Sequence, residues 1–301
     1  MRGSIRAKLL MKRRRLILLF AAAAAGLSLA ALYAIGRPIG NLLSALGPAT
    51  ESGQAYDEAV QRETLALQAR ATAREVVQFI KDIETEVEKA TQLPAGTGGE
   101  PRDDVQRGAL RRNVEQLLRQ VPEIREVAYL DPAGKVQLHV SRLAGEEATG
   151  ADLSQDPKFT VALAKQVYLG PIYFCHESEP YLTMSFAGAG HDAGVSVVEV
   201  SLKPIWELVS QIDVGDGQAY VIDAAGRLIA HTEINLVLAK TDMNRLSQVV
   251  AARSTRMERV QVGTDIGGRA VLAGDAKAMP FGWLVFVESP PEPAAPAPQR
   301  E

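Results

Sequence analysis

Glu199 lies inside Val195 to Leu202 (VSVVEVSL), a run that is otherwise apolar or small. Burying an acid there requires a cation, hydrogen-bond donors or solvent. Tyr168, Tyr173 and Tyr181 fall close together with His176 and Glu179, in a chain of seven tyrosines. Polar-tipped aromatics give apolar walls and a few oriented hydrogen bonds, which suits a pocket for a small polar molecule. On strands they also serve packing alone. Arg142 and Lys158 are further candidates, as contacts for an anionic group. The expected ligand-binding set is therefore Tyr173, Tyr181, Glu199, Tyr168, His176, Arg142 and Lys158.

Covalent chemistry is not expected. Cys175 adjoins His176, but neighbours on a strand point to opposite faces, so a thiol and its base would not meet. The chain has no phosphate-binding loop, nucleophile elbow, zinc-protease helix or dinucleotide fingerprint. None of the four histidines has a second His at ligand spacing, and one cysteine excludes a disulfide framework or a Cys-based zinc site. No catalytic residue, metal or cofactor is expected.

Of the 301 residues, 47% are hydrophobic, 23% charged and 5% aromatic, a foldable composition with length for two domains. The net charge of -3 hides an asymmetry. Residues 1–15 carry seven bases and no acid, leaving 26 bases against 36 acids in the remainder. So acidic a body excludes a nucleic-acid partner, which would need clustered Lys and Arg.

Leu16 to Ile35 is an uncharged stretch of 20 residues. At about 1.5 Å per residue it reaches the roughly 30 Å of a bilayer core. A cleaved signal peptide is the alternative reading, but its apolar region usually runs only about 7–15 residues. The bases ahead of the span place the N-terminus in the cytoplasm and the body in the periplasm. Beyond the breakers Gly36, Pro38, Gly47 and Pro48, the spacing of Ala69, Thr72, Val76, Phe79, Ile80, Ile83 and Val87 predicts a helix. It starts near Thr50 or Ser52, ends near Gln92, and is long enough to run beside more than one packing unit. Breakers at Pro94 to Pro101 precede a second amphipathic helix with Val105, Leu110, Val114, Leu117, Leu118 and Val121 on one side.

From Ile124 onward, short β-branched and aromatic runs alternate with turns. Val127 to Leu130, Asp131-Pro132-Ala133-Gly134 and Val136 to Val140 read as a hairpin. The pattern returns at Tyr220 to His231, with Asp131, Gly134 and His139 matching Asp223, Gly226 and His231 at one constant spacing. The closing strands VSVVE and LVFVE end at Glu199 and Glu288. Two matches in the same order indicate an internal repeat of α+β modules, joined by the helical run Pro204 to Ile212.

A basic tail, one span, a long helix and two strand-turn-strand modules resemble the double Cache sensor domains of bacterial sensor kinases, nucleotide cyclases and chemoreceptors. Tyr173-Phe174 with Ser178 to Thr183, Val198 to Trp206, and Gly217 to His231 with Leu236 to Leu238 carry the likeness, which covers about residues 50–290. It implies two PAS-like modules with antiparallel sheets, stacked along the long helix. It also implies that an acid placed like Glu199 can hold a ligand amine. The expected organisation is a cytoplasmic tail (1–15), a transmembrane anchor (16–35), then linker, long helix and loop (36–104). A membrane-distal module (105–214), a membrane-proximal module (215–289) and a Pro/Ala-rich tail (290–301) follow, with no kinase, cyclase or methyl-accepting module. The Arg-x-Trp-Tyr pattern of the family's amino-acid-binding branch is missing at Asp156 to Phe159.

The expected function is a membrane-anchored periplasmic small-molecule sensor, homodimeric, signalling through its span to a separate partner. The alternative is a ligand-free periplasmic scaffold for association, and an enzyme comes third. Alkaline phosphatase fused after Gln92 is expected to be active, and an active cytoplasmic reporter there would overturn the topology.

Overall fold

Forty-three residues without proline form the first helix, α1 (Ala49–Thr91). The computed structural model describes residues 49–93, 101, 104–142, 149–175, 179–188, 194–254 and 260–291. The apolar segment 16–35 and both expected tails lie outside these, apart from 290 and 291. No helix among the described residues is long and apolar enough to cross a membrane. The chain divides after Gln54, and the unit Ala55–Glu301 holds both sheets.

Ala69, Thr72, Ala73, Val76, Ile80, Ile83 and Val87 are buried along one side of α1, the stripe read from the sequence, while Phe79 is half-buried. Ion pairs on the wet side, such as Arg62 with Glu58 at 2.7 Å, add little. The second helix, α2 (Asp104–Gln120), buries Leu110, Val114, Leu117 and Leu118. Val105, expected on that side, is instead 76% exposed, because it sits in the first turn before the helix reaches the core.

Two five-stranded antiparallel sheets follow. The first contains β1 (Ile124–Leu130), β2 (Val136–Ser141), β3 (Val167–Cys175), β4 (Glu179–Ala187) and β5 (Val195–Ser201), in the order β2-β1-β5-β4-β3. The second contains β6 (Gln218–Ile222), β7 (Leu228–His231), β8 (Val260–Thr264), β9 (Ala270–Ala278) and β10 (Trp283–Ser289), in the order β7-β6-β10-β9-β8. The two orders are the same once positions are matched, as the repeat requires. Helix α3 (Pro157–Lys165) covers the first sheet, α4 (Lys203–Ser210) links the sheets, and α5 (Ile234–Leu238) and α6 (Ser247–Ser254) cover the second.

The matched turns are built alike. Asp131 Oδ1 accepts the N–H groups of Ala133 and Lys135, both at 2.9 Å, and Asp223 Oδ1 accepts that of Arg227 at 2.9 Å. Gly134 and Gly226 supply the positive φ, 83° and 88°, that other residues avoid. Asp265 and Arg269 form a third copy between β8 and β9 that the sequence pattern did not reveal.

One side of each sheet packs on α1 in a shared core that runs from Leu65 to Ala90 along the helix. The second sheet meets the N-terminal half, where Gln61 Nε2 donates to Pro290 O at 2.8 Å. The first meets the C-terminal end, where Ser196 Oγ donates to Thr91 Oγ1 at 2.8 Å. The tightest approach is at Gly274 on β9, where an added Cβ would lie 2.7 Å from the backbone of Leu65. Backbone cannot move aside as a side-chain tip can. Gly274→Ala is therefore expected to cost about 1–3 kcal/mol in chemical denaturation, the range for overpacking.

Candidate functional site

Two β-bulges aim the side chains of the candidate site on the first sheet. Directly opposed residues on neighbouring strands share a face. In the first sheet, Tyr168 opposes Ser185 and Tyr173 opposes Tyr181, although their spacing in an unbroken strand would turn them to opposite sides. The register shift between Leu169 and Ile172, at Gly170-Pro171, brings both onto one face. A second shift, between Ile124 and Glu126 against β5, makes Arg125 the extra residue of β1. Its guanidinium lies 3.7 Å from Glu199 Oε2 and 5.5 Å from the centre of the Tyr181 ring.

The face away from α1 therefore gathers Tyr173, Tyr181 and Glu199, and adds Arg125, Glu126, Thr183 and Ser185, which the sequence alone did not single out. Tyr173 and Tyr181 stack with centroids 6.2 Å apart, and Tyr181 Oη donates to Glu179 Oε2 at 3.0 Å. Glu126 opposes Glu199 and lies 3.7 Å from His139 Nε2. Ser185 is fully buried, and its hydroxyl has no hydrogen-bond partner among the described residues. Tyr168 stands at the apolar end, against the cluster of Phe159, Ala162 and Val197, and burial pushes its phenol pKa up.

The remaining candidates lie elsewhere. Arg142 is exposed and donates to the carbonyls of Ile124 at 2.8 Å and Val121 at 3.1 Å, fastening the end of β2 to the start of β1. Lys158 sits in the first turn of α3, half-buried, its N–H capped by Asp156 Oδ1 at 2.8 Å. His176 lies outside the described residues, as does the side chain of Cys175. No group of His, Cys, Asp and Glu suited to a metal ion occurs among the described residues.

The matching face of the second sheet is closed. Glu288, the counterpart of Glu199, is fully buried and accepts from Tyr220 Oη at 2.5 Å, Gln248 Nε2 at 2.8 Å and Gln218 Nε2 at 2.8 Å. Burial raises its pKa, opposed by these three donors, and Asp265 raises it further. Burial and the nearby Glu288 charge hold the Tyr220 phenol well above its ordinary range. Asp275 on β9 faces the same side, opposite Phe286. His231 Nδ1 accepts the N–H of Glu233 at 2.8 Å, so the proton sits on Nε2, which is buried without a partner among the described residues.

No protein-family model matches the chain, and no curated protein matches it. Solved structures do. The sensory domain of the Campylobacter jejuni chemoreceptor Tlp3, with isoleucine bound, aligns at TM-score 0.60 and 16% identity, over 81% of this chain and 96% of that one. The ligand-binding domain of the Pseudomonas aeruginosa PAO1 amino-acid chemoreceptor PctC, in complex with GABA, aligns at 0.56 and 16%, over 75% and 99%. The extracellular domain of the histidine kinase mmHK1S-Z3 aligns at 0.56 and 17%, over 79% and 95%. The chain thus shares the fold of these solved domains, the fold that its resemblance to double Cache domains implied.

Burial holds the His231 pKa down from 6.5 to about 4. Between those values the unfolded chain binds a proton that the folded chain does not, so this residue's contribution to stability is lost as pH falls through the window. About 3–4 kcal/mol is involved, at about 1.4 kcal/mol per pKa unit. Glu288 acts in the opposite sense, so the comparison with His231→Phe isolates the histidine. The parent is expected to lose more stability than the variant between about pH 6.5 and 4 in urea titrations. Parallel profiles would refute this.

Proposed function

We propose that the chain is a membrane-anchored periplasmic sensor that binds a small polar molecule in its membrane-distal module, residues 105–214. The contrast between the two matched acids carries the reading. Glu288 is held by three donors within 2.8 Å, whereas Glu199 has among the described residues one ion pair at 3.7 Å. A half-buried carboxylate with so little coordination has capacity for another donor, and the Ser185 hydroxyl on the same face also lacks a partner among those residues.

Three carboxylates, Glu126, Glu179 and Glu199, stand with Arg125 around two stacked tyrosines, which favours a ligand presenting an ammonium group. Tyr173, Tyr181 and Glu199 would contact it, with Tyr168 and the cover from α3 closing the apolar end. Tlp3 and PctC, solved with isoleucine and with GABA, support a ligand of amine-bearing type. In this reading residues 215–289 are the membrane-proximal module and residues 16–35 the span. Signalling passes through that span to a separate partner, from a homodimer.

A thermal-shift screen of amino acids and amines against the chain is expected to give hits, since specific binding raises the melting temperature. Glu199→Gln should then weaken a cationic ligand by about 1–3 kcal/mol in calorimetry, and Tyr173→Phe by about 1 kcal/mol. If no compound binds, the ligand-free scaffold is the better reading. Binding that survives both changes but is lost on altering Tyr220 would move the site to the proximal module.

A further inference from the structure

The repeat that matches Glu199 with Glu288 also matches Lys158 with Gln248. Asp152 bridges Lys135, as Asp242 bridges Arg227. The N–H of Leu153 donates to Gly134 O at 2.8 Å, and that of Met243 to Gly226 O at 2.9 Å. Ser154 and Asn244 cap onto Asp152 and Asp242 in the same way, both at 2.9 Å. Counting on from these anchors, Lys158 in α3 and Gln248 in α6 hold equivalent positions, each followed by a buried apolar residue, Phe159 or Val249.

The two side chains behave differently. Among the described residues Lys158 makes no hydrogen bond or ion pair with Glu199. Gln248 is fully buried, and its Nε2 donates both to Glu288 Oε1 at 2.8 Å and to Thr264 O at 2.9 Å. Its carboxamide lies over Gly263 of β8, where a Cβ would overlap Oε1, so the strand has no side chain at the point where the amide enters. Gln261 Nε2 donates to Gln248 O at 3.0 Å and fixes the helix from below.

We propose that Gln248 is a built-in ligand of the proximal module. Its carboxamide occupies the place beside the strand acid that a diffusible ligand takes in the distal module, and holds α6 closed on the sheet without any bound molecule. The comparison with a diffusible ligand rests on the distal site proposed under the function. The occupancy itself rests on the proximal distances alone.

Gln248→Ala in the full chain removes the amide and leaves a space of its size beside Glu288. The melting temperature of this variant is expected to rise with added acetamide, whose N–H groups can replace those lost. The parent, its site filled, is expected not to respond, nor the variant to N,N-dimethylacetamide, which has no N–H. An equal response in parent and variant, or none in the variant, overturns the proposal. If Gln248→Ala does not fold, Gln248→Met keeps the length without the donors. That variant should be less stable than the parent, and more so at a pH where Glu288 is ionised, whereas unchanged stability at every pH overturns the proposal. Adding Glu199→Gln to Gln248→Ala should leave the acetamide response intact, so failure of the distal reading registers separately.

Discussion

Everything in this fold depends on one helix packing against two sheets. The buried seam of α1 from Leu65 to Ala90 sets two alanines, Ala69 and Ala73, before a run of branched residues, Val76, Ile80, Ile83 and Val87, and both sheets lay their inner faces on it. Small residues at Ala69 and Ala73 let strands come close, and Gly274 on β9 takes the approach to its limit against the backbone of Leu65. Because each sheet spends one face on this seam, the other face is left for a smaller cover of helix and loop. In both modules that second face carries the polar chemistry, a consequence of the alternation of side chains along a strand.

Duplication supplies the same scaffold twice, and a few side chains then decide what each copy does. The acid at the end of the closing strand is common to both. In the second copy Gln218, Tyr220 and Gln248 surround it, and Phe286 stacks on Tyr220 with centroids 5.0 Å apart, leaving the acid satisfied and buried. In the first copy Ala128 stands where Tyr220 stands, Glu126 where Gln218 does, and Lys158 where Gln248 does. Each of these exchanges removes a neutral donor from the acid or sets another charge near it. Full coordination suits a structural element and incomplete coordination suits a binding site, since an unpaired buried polar group costs more than a paired one returns.

The elements were legible where periodicity or turn chemistry is strong. The seam of α1, the Asp-x-x-Gly turns and the closing strands all follow from local pattern, and the repeat could be read because its turns recur at a constant spacing. Register was not legible. Arg125 enters the site only because β1 carries an extra residue there, and Tyr173 shares a face with Tyr181 only because Gly170-Pro171 shifts β3 by one. A one-residue slip inverts every side chain beyond it, and no local propensity announces it. Gln248 was missed for a related reason. A glutamine on a short helix has no distinguishing pattern until the repeat is extended into the helices, where Gln248 falls opposite Lys158. Arg142 was read as an anion contact, and its hydrogen bonds to the carbonyls of Val121 and Ile124 depend on tertiary pairing that the sequence does not announce.

Such a division of labour also explains why the helix is continuous. Between Gln61 and Thr91 the chain has neither glycine nor proline, so about 45 Å of helix joins the hydrogen bond at Ser196 to that at Pro290 without a hinge. A change in how the first sheet sits on Thr91 would be carried along that rod, because a packed helix shifts more readily as a body than it bends. At its other end the rod meets β10, whose Glu288 is anchored through the side chain by three donors and whose following residues are held by Gln61. The rod thus joins a sheet whose acid is loosely coordinated to one whose acid is held by three donors, and under the proposed function the first is the end at which ligand would act.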